Sequence, residues 1–266
     1  MSLWPCGAGP RAARSWLSRF GGRWRHGFEQ AGAFNPAQIE YANGMRVELL
    51  QPGSDPASFV RRFLDGTGAR ARPHHITFKV RDIRASLGAA GAAGFEPILV
   101  NLDFEGWQEA FLHPKDTGLG FLVQMAQAEE MPEELAGDMP GLSLTPPWPE
   151  PEVAWAALPA VAGQVSRWDP VRRVLRDVLG GAETPLEPGI SRFTWPSGAD
   201  LVLATGEEPG LRALAFRGDG AVSWELADVL RAAAQEPIVP ELGIRVADLA
   251  SQRVAELSAI GPGITM

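Results

Sequence analysis

The chain has 266 residues, 45% of them hydrophobic, with a formal net charge of −8 and a pI near 5.1. It can bury a sizeable core, as one large domain or two small ones, and it lacks the basic balance that a nucleic-acid backbone requires. Cys6 is the single cysteine, which excludes an intramolecular disulfide and a cysteine-based zinc cluster. No apolar run approaches the ~18–20 residues of a membrane span, so a cytoplasmic protein without a membrane partner is expected.

Residues 1–28 carry five arginines and no acid. That composition occurs in organelle transit segments, but "PRAARSWLSRFGG" reads better as an ordinary helix over 9–20, stopped by Gly21-Gly22. Ala12, Ala13, Trp16, Leu17 and Phe20 fall on one of its faces. "RWRHGFEQ" is expected as a strand. "AQIEYA" and "MRVELLQ" then form two strands around Asn43-Gly44, a turn pair that tolerates positive φ. A solvated helix crosses at 57–65. In "HHITFKV", His75, Thr77 and Lys79 alternate with Ile76, Phe78 and Val80, which is the period of a strand.

The segment "DIRASLGAAGAAGF" predicts a helix closed by Gly94. Three strands follow, "EPILVNL", "WQEAFLHP" and "GFLVQMAQ", the last two joined by a turn at "KDTG". Residues 1–127 therefore read as two βαβββ modules, the first short at its N-terminus. In this reading Glu48 and Gln124 occupy matching places on the last strands of the two modules. Residues 128–150 are acidic and Pro-rich, the composition of a linker.

In residues 151–266, "DPVRRVLRDVLGGAE" predicts a helix with a Gly-Gly stop and "ISRFTWPSGADLVLAT" a hairpin. "GLRALAFRGDG" followed by "SWELADVLRAAA" opens a further module. Trp155, Trp168, Trp195 and Trp224 are expected in the core or at an interface. The fold class is α+β, tandem βαβββ modules in two domains.

Three stretches resemble the glyoxalase/vicinal-oxygen-chelate superfamily, nearest to its methylmalonyl-CoA-epimerase-like members. They are "VELLQPGSDPASFVRRFLDGTG", "HHITFKVRDIRASLGAAGAAGF" and "FLHPKDTGLGFLVQMAQ". Together they span residues 45–127, and the helix ending "SRFGG" extends the likeness to residue 9. The second half looks like a degenerate copy of the same domain.

The resemblance implies that each pair of modules curls into a cup, with a divalent ion held by one ligand from each of four strands. Glu48, His75 and Gln124 match three of those positions. Zn, Fe, Mn, Co or Ni suits imidazole and carboxylate donors, and no organic cofactor is implied. Ser2 falls at the fourth position, where the family has histidine, and Gln124 stands where many members have glutamate. An amide is a neutral donor without useful basicity, so the sequence points to no base for moving a proton.

His26 could reach the cup and touch a substrate. His74 is expected to face solvent or to cap, and His113 to be a turn residue. The second half has no histidine, so a metal is not expected there, and its role is packing, pairing within the chain or closing the first cup.

Two functions remain open at this level. One is a metal-dependent lyase, isomerase or dioxygenase acting on a small oxygenated metabolite. The other is a metal-free small-molecule binding protein of resistance or sequestration type. A homodimer is compatible with either.

Overall fold

The computed structural model describes residues 2–3, 16–28, 32–66, 68, 72–128, 141–146, 152–218, 220–236, 238–239 and 244–249. The N-terminal helix is seen over 16–18 and gives way to a turn at 19–20; residues 9–15 of that expectation lie outside the described residues.

The first module contributes β1 (Ser2–Leu3), β2 (Arg23–Phe28), β3 (Phe34–Glu40) and β4 (Arg46–Pro52). The second contributes β5 (Pro73–Lys79), β6 (Ile98–Asn101), β7 (Trp107–Leu112) and β8 (Leu122–Ala128). With β9 (Leu142–Ser143) they form one sheet in the order β6-β7-β8-β5-β1-β4-β3-β2-β9. In each module the first strand runs parallel to the last, and the two first strands meet antiparallel. β9 comes from the expected linker and lengthens the edge beside β2.

Between the modules lies α1 (Phe59–Gly66), which buries Val60 and Leu64 against Leu50. Full burial of such side chains contributes about 1.5–3 kcal/mol each. Helix α2 (Ile83–Ala92) starts at Asp82, whose carboxylate accepts from the Ala85 amide at 2.9 Å. Such a cap contributes ~1 kcal/mol. Gly94, at φ 82°, turns the chain out of the helix. The expected turn at "KDTG" is instead a short helix, α3 (Pro114–Thr117). His113 caps it through Nδ1, and Gly118 ends it at φ 72°; Pro114 at its first position favours helix over open turn.

The second half repeats the plan. β10 (Ala157–Val165) leads into α4 (Trp168–Arg172), which continues as a π-helical stretch (Arg173–Val178). Next come β11 (Ala182–Glu187), β12 (Ile190–Thr194), β13 (Asp200–Thr205) and β14 (Gly210–Arg217). Then follow α5 (Leu226–Gln235), β15 (Ile238–Val239) and β16 (Ile244–Asp248). The sheet order is β11-β12-β13-β10-β14-β16-β15. It matches the first sheet module by module, with one strand fewer among the described residues of the last module.

A single apolar core joins the two sheets. Ile39, Val47, Leu49, Ile76 and Val123 from the first half share it with Leu158, Val161, Phe193, Leu203 and Phe216 from the second. Ile83 of α2 and Val171 and Val174 of α4 lie in the same core, so these helices fill the space between the sheets. Trp195 meets Phe78 there, with ring centroids 5.0 Å apart. Trp155 is 45% exposed, and its indole donates to the Glu40 carbonyl across the halves. Gly120, at φ 74°, lets the backbones close up, because a Cβ there would come within 2.3 Å of the Pro209 carbonyl oxygen. Among the described residues no helix is long and apolar enough to cross a membrane.

Candidate functional site

With α2 and α4 in the shared core, the opposite face of each sheet is its cup. One row crosses the first cup. His26 pairs with Gln38, Gln38 with Glu48, Glu48 with Ser2, Ser2 with His75, and His75 with Leu122. Side chains alternate along a strand, so Glu48, His75 and Gln124 share this face while Val47, Leu49, Ile76 and Val123 point into the core. Glu48 and His75 flank β1 from either side, about 10 Å apart at two strand spacings, a gap their side chains can narrow.

Gln124 does not stand opposite His75. Its register partner is Thr77, and Leu122 faces His75. The expected correspondence with Glu48, whose partner is Ser2, is therefore displaced by two residues. Sequence spacing alone cannot detect such a shift, because a two-residue slip keeps every side chain on its face.

Two sets of hydrogen bonds lie on the cup floor. Gln38 Nε2 donates to Glu48 Oε1 at 3.1 Å. The Thr77 hydroxyl donates to Gln124 Oε1, and Gln124 Nε2 donates to Glu109 Oε2. Trp107 Nε1 donates to the same Glu109 oxygen at 2.7 Å. Glu109, Thr77 and Gln38 were not singled out in the sequence. Glu109 lies two residues from Phe111, the register partner of Gln124, so the β7–β8 pairing brings it to this face.

His75 is 6% exposed. Burial, then the neighbouring His74, push it well below its ordinary value of 6.5, against a hydrogen bond with Gln124. It is therefore a neutral imidazole with a lone pair at physiological pH. The expectation that His74 faces solvent fails. Its ring packs on Phe59 and Phe63 of α1, with centroids 5.7 and 4.8 Å away, and its Nδ1 lies 2.8 Å from His75 Nδ1. A strand end beside a covering helix is not solvated on either face. His26 is placed on the cup row by its pairing with Gln38, and burial, then Arg25 and Arg46, lower it to about 4.

The donor set is one carboxylate, one neutral imidazole and one amide oxygen. Among the described residues no three His, Cys, Asp or Glu side chains gather as a metal cluster. The amide oxygen of Gln124 already accepts from Thr77 but keeps a second lone pair. This set fits a weakly held ion with several positions left to water or ligand.

The second cup is different. Its floor is Ala160, Ala162, Val202, Ala213 and Ala215, and α5 lies across it with Val229 and Ala232 buried. Small side chains let the helix sit close, so apolar packing takes the space a ligand would need. A hollow elsewhere is lined by Arg19, Phe20, Phe216 and Asp248, and an open cleft by Arg172, Arg176 and Glu183. Neither shares a residue with the first cup.

Residues 10–111 match the family model described as the Glyoxalase/Bleomycin resistance protein/Dioxygenase superfamily. A hypothetical protein from Staphylococcus aureus superposes with a TM-score of 0.58 at 10% identity, covering 93% of this chain and 97% of that one. A variant of 4-hydroxymandelate synthase from Streptomyces coelicolor gives 0.55 at 13% identity, covering 87% and 72%. Methylmalonyl-CoA epimerase from Mycobacterium tuberculosis gives 0.42 at 19% identity, over 51% of this chain and 88% of that one. Among curated proteins none matches the sequence. At these identities the superpositions with TM-scores above one half show a shared fold of two such domains.

Proposed function

We propose, from the match of residues 10–111 to the model of the Glyoxalase/Bleomycin resistance protein/Dioxygenase superfamily, that the first cup binds a small oxygenated molecule over a divalent ion. Glu48 and His75 would hold the ion, with Gln124 Oε1 as a third donor. The observation that supports this most is the register: Glu48 and His75 both stand opposite Ser2, so two strong donors face each other across a single strand. Imidazole kept neutral by burial is the form that ligates. When bound, the ion supplies Lewis acidity toward two substrate oxygens.

The chain's own residues do the rest. Gln38 holds the Glu48 carboxylate. Glu109 is the base: Trp107 and Gln124 both donate to its Oε2, and among the described residues no donor meets its Oε1. A carboxylate oriented by two donors can take a proton from a carbon or hydroxyl above Gln124. A lyase, isomerase or dioxygenase reaction would use these parts in different order.

A metal-free binding protein is the second reading, favoured by one observation. Both ends of the Gln124 amide are engaged, by Thr77 and by Glu109, which completes a hydrogen-bonded floor without an ion. Elemental analysis of the whole chain purified without chelator separates the two. The metal reading expects up to one equivalent in the wild type, lost in Glu48→Gln and His75→Ala. Metal content near zero in all three, also after incubation with Mn, Zn or Co, would leave the metal-free reading standing.

A further inference from the structure

The open cleft of the second domain lies where α4 and its π-helical continuation meet β11. It has a volume of about 650 Å³ and is lined by Arg172, Arg176, Gly181, Ala182, Glu183 and Pro185. Glu183 is its anchor. The Glu183 side chain is 9% exposed. Its carboxylate accepts from Arg172 Nε at 2.9 and 3.1 Å and from the Ser191 hydroxyl at 2.9 Å. Arg176 Nη1 adds a longer contact of 3.5 Å. Burial opposes ionisation of this carboxyl, but the hydrogen bonds from Arg172 and Ser191 outweigh it and hold it below its ordinary 4.5.

Both guanidinium groups are held from behind and open in front. Arg172 spends only Nε on Glu183, and its guanidinium carbon lies over the Trp168 ring, 5.1 Å from the centroid. Trp168 is itself fixed, because its indole donates to the Thr205 hydroxyl at 2.9 Å. Among the described residues no acceptor meets either Nη of Arg172, nor Nε or Nη2 of Arg176. The two side chains are 44% and 51% exposed. The lining thus sets two guanidinium groups against one carboxylate. The acids on the helix do not pair with them: Asp169 meets Arg173 instead, and among the described residues Asp177 makes no ion pair with either arginine.

Pro185 argues against a peptide as the occupant. β11 is the edge of its sheet, where an extended chain would add as a strand, but proline has no N–H to offer and blunts such an edge. The widened helix beside the cleft, Arg173–Val178, belongs to a rare class of turn that recurs at functional sites.

We propose that Arg172 and Arg176 form a binding site for an oxoanion, the phosphate or carboxylate group of a small molecule. A guanidinium plane offers paired N–H donors to two oxygens of one such group, and Glu183 fixes both arginines before it arrives. The second domain, whose cup is filled by α5, gains a ligand site of its own. This site is independent of the first cup.

Titration of the whole chain at low ionic strength with inorganic phosphate and with acetate, followed by backbone amide shifts in NMR, tests it. Shifts are expected at Gly181, Ala182 and Glu183 at millimolar concentrations of at least one probe, and the tighter probe identifies the source of the anion. Arg172→Gln strips a buried carboxylate of its main partner, so the less engaged Arg176 carries the test. Arg176→Gln is expected to keep the amide spectrum of the folded chain and to weaken binding about fivefold, while Arg176→Lys retains part of the affinity. No shift with either probe, shifts confined to other residues, or unchanged affinity in Arg176→Gln would each overturn the site.

Discussion

His74 Nδ1 and His75 Nδ1 lie 2.8 Å apart, so one ring donates a proton and the other accepts it. Two protonated Nδ1 atoms cannot face each other at that distance, and burial keeps both rings neutral. His74 thus holds His75 from behind, while Phe59 and Phe63 hold His74. His74→Phe should retain the packing on α1 but strip a buried partner from His75. An unmade buried hydrogen bond costs about 1–3 kcal/mol, and urea unfolding should show a loss of that size. Unchanged stability would mean that the two rings are not coupled.

Stability should depend on pH through the same groups. His26 and His74 are each lowered to about 4 from 6.5, by burial first. Between these values the unfolded chain binds more protons than the folded one, so stability rises with pH across this window. Their contribution is fully present above about pH 6.5 and is lost as pH falls toward 4. Calorimetric melting of the wild type and of the His26→Asn/His74→Asn double variant should differ in slope between pH 4 and 6.5 and run parallel above it. Parallel curves throughout would show that both rings titrate normally.

Much of this architecture was legible from period and punctuation. The alternation in "HHITFKV" places His75 and Ile76 on opposite faces, as observed, because adjacent strand residues have no choice. Asp82 and Gly94 mark the ends of α2 because each supplies what a helix terminus lacks. What stayed hidden depends on contacts between distant segments. The setting of His74 depends on α1, the two-residue displacement of Gln124 on strand register, and the role of Glu109 on its hydrogen bonds to Trp107 and Gln124. None of these has a local signature.

Asn43 does more than turn a hairpin. Its Nδ2 donates to the Leu158 carbonyl at 2.9 Å, and its Oδ1 accepts from the Leu158 amide at 3.1 Å. The side chain thus mimics a strand residue and clasps β10 of the second half to the first. Asn43→Ala would leave a donor and an acceptor of Leu158 unpaired, at a cost of about 1–3 kcal/mol. Asn43→Asp keeps the acceptor but loses the donor, and should fall between the two. A thermal melt of each variant checks the order. An alanine variant as stable as the wild type would show that water replaces the clasp.

Helix α5 should be the part of the second domain most sensitive to the size of the floor beneath it. Val229 and Ala232 are each 1% exposed and pack on Ala160, Ala162, Ala213 and Ala215. These alanines set the distance between helix and sheet. The start of the helix is pinned as well: Trp224 Nε1 donates to Asp200 Oδ2 at 2.8 Å, and Arg192 reaches the same oxygen at 2.6 Å. Ala162→Leu would add three carbons where no space is left, and overpacking of this kind costs typically 1–3 kcal/mol. Because the shared core lies on the other face of the sheet, the strain should fall on α5 rather than on the core. Hydrogen exchange is expected to accelerate across 226–235 in this variant while β10 and the residues of the first cup keep their protection. Uniform acceleration over both sheets would mean instead that α5 and the shared core unfold as one unit, and the helix would then be a fixed part of the second domain rather than a plug in its cup.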